Sequence, residues 1–225
     1  MVSWQQYAAG WANQHGGYDL RRGPTPVRGW LWFAYALARG LTPLRVRPGS
    51  GFVCALACAA AVPVTTGRGP LGLLLAALLV TLSAFAATVD AALTVLTGGG
   101  SPRAAIRATV AARLGELAGL FGCWLVGVPA VLVIACGALA VLHEAVRREA
   151  LAAGLSRVAL QTVGERPMRV AAMATGLGLA GLAWLIGLAD AQLAAGTLTV
   201  ALVVWLTLGL LGLWQLTGIV RRTLA

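Results

Sequence analysis

The stretch FAATVDAALTVLTGGGSPRAAIRATVAARLGE, Phe85–Glu116, decides how the chain is read. A long apolar run closes in a triple glycine, and a second run opens at Ser101 and Pro102. Glycine ends helices and proline is accepted in their first turn, so the segment predicts two long helices joined by a tight turn, the second starting at Pro102. A phosphate-cradling role for Thr97–Pro102 is disfavoured, because no lysine follows and no strand precedes it.

Working outward, apolar runs on the order of 20 residues, enough to cross a bilayer, can be drawn at 51–66, 70–97, 104–126, 128–151, 167–189 and 194–219. The 225 residues are 59% hydrophobic and 11% charged, too little polar surface for a soluble domain. The expected fold is an all-α integral membrane protein with six transmembrane helices in residues 48–225. An N-terminal leader, residues 1–47, precedes them. In SWQQYAAGWAN, Trp4, Tyr7, Ala8 and Trp11 share one helical face, and VRGWLWFAYALAR adds apolar bulk beside arginines. Both segments predict amphipathic helices lying at the membrane interface, with a flexible arm as the alternative.

The net charge is +10 and every basic residue is arginine. The arginines fall between apolar runs, a membrane-protein distribution, and nucleic-acid binding is not expected. Arg21–Arg47, Arg103–Arg113, Arg147–Arg169 and Arg221–Arg222 mark alternate connections, so both termini are expected in the cytoplasm of a cell whose inner or plasma membrane the chain crosses. No signal peptide is expected, because the leader is polar and arginine-bearing. Cys54, Cys58, Cys123 and Cys136 lack metal-site spacing and are expected as small buried hydrophobes without disulfides.

Asp90, Arg113, Glu116, His143, Glu144, Arg147, Glu149, Glu165, Arg166 and Arg169 gather towards one end of the spans. An ionisable group at the centre of a membrane helix costs about 2.5–3.5 kcal/mol on the insertion scale, so the cluster is a candidate site. His143 and Glu144 do not form a metalloprotease motif, and His143 is expected to be hydrogen-bonded inside the bundle. Gly176, Gly178, Gly181 and Gly187 are expected to permit close helix packing. No acidic residue is expected at mid-membrane, which disfavours a transporter, the third function class considered.

With these residues in place, the chain resembles the CDP-alcohol phosphatidyltransferases, six-helix membrane enzymes that move a phosphatidyl group from a CDP-lipid to an alcohol and release CMP. Their signature, DxxDGxxARx8GxxxDxxxD, runs from the second span into the third, and its four aspartates hold two divalent metals. Aligned on Asp90 without a gap, the first, third and fourth aspartates fall on Ala87, Ala108 and Ala112. The glycines fall on Ala91 and Ala104, and the Ala-Arg pair on Thr94 and Val95. The family's opening of span one is also changed, to RPGSGF. The likeness rests further on HEAVRREALAAGL and VGERPMRV, whose Arg147, Arg166 and Arg169 match the family's alcohol-site arginines, and on Arg113–Glu116 just beyond the motif.

The resemblance implies a membrane protein of phospholipid metabolism whose catalytic metal site is lost. It would pair as a homodimer, or as a heterodimer with an active paralogue, and would touch anionic or CDP-linked lipid through Arg113, Arg147, Arg166 and Arg169. No cofactor is expected in that reading, and Asp90 is a vestigial metal ligand. The rival is an active enzyme with a rewired site, in which Asp90 and Glu116, with Glu144, hold one Mg or Mn ion or act without metal. Glu116 has a plainer alternative role, an ion pair with Arg113 three residues earlier. Asp90 has its own plainer role, as a capping or salt-bridging carboxylate at a helix end.

Overall fold

In the computed structural model, residues 2–14, 20–22, 24–98, 100–155 and 165–224 are described, and they contain helices and no strand. Two helices form the leader, α1 (Trp4–Gln14) and α2 (Thr25–Leu41), with a single 3-10 turn at Leu20–Arg22 between them. Six follow: α3 (Ser50–Thr66), α4 (Gly69–Leu96), α5 (Pro102–Val126), α6 (Ala130–Ala152), α7 (Arg166–Leu185) and α8 (Ala191–Leu224). Each apolar run expected to span forms one helix. The fifth stops at Leu185 rather than 189, because Gly187 adopts a left-handed turn with φ +77° that a helix cannot continue.

The chain is a multi-pass membrane protein: α4, α5, α6, α7 and α8, five helices among the described residues, are long and apolar enough to cross a bilayer. The 17 residues of α3 rise only about 25 Å, short of a hydrocarbon core about 30 Å thick. The turn into α5 follows the sequence, with Pro102 in the first turn and Ser101 Oγ accepting the Ala104 N–H at 3.3 Å.

The main core joins α4, α5, α6, α7 and α8 around Leu73, Leu120, Leu177, Leu198, Leu202 and Trp205. Small residues let the helices approach. A Cβ at Gly176 would stand 2.6 Å from that of Ala201, and one at Gly181 would stand 2.9 Å from the Pro70 carbonyl. Gly178 faces more open space, and Gly187 shapes the turn, so only two of the four glycines serve close packing as expected. All four cysteines are free; Cys123 and Cys136 are buried, whereas Cys54 is exposed and Cys58 half-buried, because α3 leaves that face uncovered.

A second core holds the leader. Tyr7, Ala8 and Trp11 of α1 are buried with Leu31, Ala34 and Tyr35 of α2 against Val89, Ala92 and Leu93 of α4. Tyr35 Oη donates to the Val2 carbonyl at 2.8 Å, and Trp30 Nε1 donates to Thr88 Oγ1 at 3.1 Å. The aromatic face of α1 is thus turned into protein, while α2 leaves Trp32, Phe33 and Leu37 exposed. Burial pushes the Tyr7 phenol above its ordinary range, since the phenolate would lose hydration.

Candidate functional site

Asp90 closes the junction of α3, α4 and α5. Gly51 lets α3 lie against α4 here, since a Cβ would come within 2.7 Å of the Ala86 carbonyl and 2.9 Å of the Asp90 Cβ. Asp90 Oδ1 accepts the N–H of Gly49, the residue before α3, and Oδ2 faces Arg107 Nε of α5 at 3.5 Å. A carboxylate at a helix start answers an otherwise orphaned N–H and the positive end of the helix dipole. Asp90 therefore caps and salt-bridges, but the helix it caps is α3 and not its own.

Glu116 is the fifteenth of the 25 residues of α5, deeper in the bundle than the sequence pattern placed it. Arg169 Nε of α7 donates to Oε1 at 2.9 Å, and Arg113 Nη1 stands 2.9 Å from Oε2. The Arg113 contact lies off the hydrogen-bonding direction, so it acts through charge, while Arg113 Nη1 also donates to the Ala140 carbonyl at 3.2 Å. The expected i, i+3 pair is present, and α7 adds a second guanidinium that the local sequence did not announce.

Glu144 receives Arg148 Nε at 3.0 Å, and Arg148 also reaches Thr109 of α5. Asp90, Glu116 and Glu144 are thus each engaged by different arginines. Among the described residues no three His, Cys, Asp or Glu side chains form a group that could hold a metal ion. At the four positions where the resemblance puts aspartates only Asp90 is a carboxylate, and Ala87, Ala108 and Ala112 offer no ligand atom, so these residues do not fit a two-metal centre.

A cavity of about 460 Å³ opens beside these contacts. Arg147, Arg166, Arg169, His143, Glu144 and Glu165 form its polar end. Ala84, Ala87 and Ala91 of α4, Ala108 of α5, and Ala171 and Ala174 of α7 give it small, apolar sides. Trp11, Pro26, Val27, Trp30 and Leu31 of the leader make the facing wall. The structure thus brings Arg147, Arg166 and Arg169 together at one space, leaves Asp90 outside its lining, and sets Glu116 behind Arg169 at a separate void of about 20 Å³. Arg147 Nη1 stands 3.6 Å from Glu165 Oε2. Arg157 and the rest of 156–164 lie outside the described residues.

The leader's part in this wall was not readable beforehand, since Trp30 meets Thr88 across 58 residues of sequence. Arg107 was missed as the partner of Asp90 for the same reason: the pair forms only once α4 and α5 fold back on each other.

Fold and site together define a helical, multi-pass membrane protein with an arginine-lined cavity beneath an aromatic N-terminal segment. No protein-family model matches the chain, and no curated protein matches it.

Proposed function

We propose that this chain is a CDP-alcohol phosphatidyltransferase-like protein of phospholipid metabolism that has kept the substrate cavity and lost the transfer chemistry. The observation that carries the reading is the cavity itself. Ala87, Ala91 and Ala108, at signature positions, line the same space as Arg147, Arg166 and Arg169. An anion-binding half persists beside a metal-binding half reduced to alanine.

In this proposal α3 completes a six-span bundle, both termini face the cytoplasm, and the exposed side of α2 meets the headgroup region of the cell membrane. The chain works as a non-catalytic subunit, paired with itself or with an active paralogue. The rewired-enzyme alternative is less well supported, because Asp90 and Glu116 are buried, paired with arginine and outside the main cavity.

The test is CMP release from CDP-diacylglycerol by the purified protein, with Mg or Mn and a mixture of polar alcohols. No release from folded wild type is expected, and release that disappears in Asp90→Asn would overturn the reading. A variant restoring aspartate at Ala87, Ala108 and Ala112 is expected to gain release if the pocket survives.

A further inference from the structure

The charges around the cavity do not balance. Among the described residues, Arg113, Arg147, Arg148, Arg166 and Arg169 cluster with three carboxylates, Glu116, Glu144 and Glu165. Glu116 serves two arginines, Glu144 serves Arg148 and Glu165 serves Arg147. Arg166 makes no ion pair with any of them, although it lines both the main cavity and the small void. The charges it feels are mixed: Glu116 and Glu144 attract it without pairing with it, and Arg113 and Arg169 repel it. Arg148 and Glu144 cancel at the exposed edge, and Arg113, Arg147, Arg166 and Arg169 against Glu116 and Glu165 leave an excess of two positive charges among the described residues, on partly to fully buried side chains where unbalanced charge is costly.

The shape of the cavity says what else the compensating anion carries. The polar groups come from the C-terminal half of α6 and from Glu165 and the first turn of α7. From there the lining runs along α4 from Ala91 to Thr81 and along α7 from Glu165 to Ala174, and becomes apolar. Ten residues of helix rise about 15 Å. A small phosphate would fill only the arginine end, leaving Val170, Ala174, Trp30 and Leu31 facing empty apolar space.

We infer that the cavity binds a lipid phosphomonoester, a dianionic headgroup on an acyl-bearing glycerol, with Arg166 as its principal anchor. The fork of donors on a guanidinium matches phosphate oxygens, and the dianion offsets the two excess charges. The glycerol and upper chain lie along α4 and α7 against Trp11 and Trp30. This rests on the reading of the cavity as a retained substrate pocket, but it concerns binding and is separable from transfer.

The experiment is native mass spectrometry of the full chain released from nanodiscs of phosphatidylcholine doped with phosphatidate or with phosphatidylglycerol. Glycerol 3-phosphate is offered in a separate arm. Phosphatidate is expected to stay bound preferentially, and Arg166→Gln to weaken it at least about tenfold, as loss of a charge-assisted contact implies. Arg103→Gln, on the exposed first turn of α5, is expected to leave it unchanged. Trp30→Ala is expected to weaken phosphatidate without affecting glycerol 3-phosphate. Arg166→Lys, which keeps the charge and loses the fork, gives an intermediate loss and serves if the glutamine variant does not fold.

Equal retention of phosphatidylglycerol, or equal loss in Arg103→Gln, would overturn the inference in favour of general surface attraction. Glycerol 3-phosphate bound as tightly as phosphatidate would overturn its lipid part. CMP release with phosphatidate binding intact would instead remove only the non-catalytic reading.

Discussion

Asp90 sits where three helices meet, with one oxygen on a backbone N–H and the other towards an arginine whose side chain is 27% exposed. Glu116 sits deeper, and one of its two guanidinium partners, Arg169, is only 3% exposed. Both are buried acids answered by arginine, yet the consequences of losing them differ. Without Asp90, Arg107 can turn to water. Without Glu116, Arg169 loses the carboxylate it donates to while its side chain stays buried. Burial of the partner, more than burial of the acid, therefore sets how much each contact matters.

The largest effect is expected where that difference is greatest. Glu116→Gln should destabilise the protein by about 3–5 kcal/mol, the usual cost of stranding one half of a buried pair. Unfolding in mixed micelles measures it. A double variant with Arg169→Gln should recover part of the loss, because the stranded charge is gone. A loss below about 1 kcal/mol in the single variant would break the comparison, by placing Arg169 within reach of other compensation.

A smaller effect is expected at the other acid. In Asp90→Asn the amide oxygen can still accept the Gly49 N–H, so only the Arg107 contact is lost, about 1 kcal/mol. Asp90→Ala also leaves the N–H before α3 without its acceptor, and should cost about 1–3 kcal/mol. The gap between the two variants measures the cap separately from the ion pair.

What the sequence disclosed about these contacts follows from their range. The start of α5 at Pro102 was legible because glycine and proline act locally, through Ser101 and the helix's own first turn, whereas the end of α7 was not, since Gly187 reads equally as a packing residue and as the turn it forms. The Arg113–Glu116 pair was legible because three residues bring two side chains to one helical face. The Arg169–Glu116 and Arg107–Asp90 pairs depend on how α7 and α5 dock, which no local spacing encodes. Spacing puts the aromatic stripe of α1 on one face, but the interfacial placement expected of it is not what that face shows: α2 and α4 cover it with protein. The arginines of the cavity could be named in advance, whereas its tryptophan wall could not.

The smallest stability effect is expected at the third acid, and it separates holding the fold from shaping the site. Glu144 meets Arg148, whose side chain is 51% exposed, and such a pair contributes about 0–0.5 kcal/mol after solvent screening and ordering costs. Glu144→Gln should therefore leave unfolding nearly unchanged. Glu144 also lines the cavity, where its charge offsets part of the arginine excess. Removing it should raise the positive potential there and tighten phosphatidate binding, while Glu116→Gln disturbs the fold before any binding can be read. Equal stability losses in Glu144→Gln and Asp90→Asn would mean that Glu144 belongs with the structural acids. Unchanged stability with tighter binding would place it with the cavity, where its neighbour Arg166 lacks a carboxylate partner among the described residues.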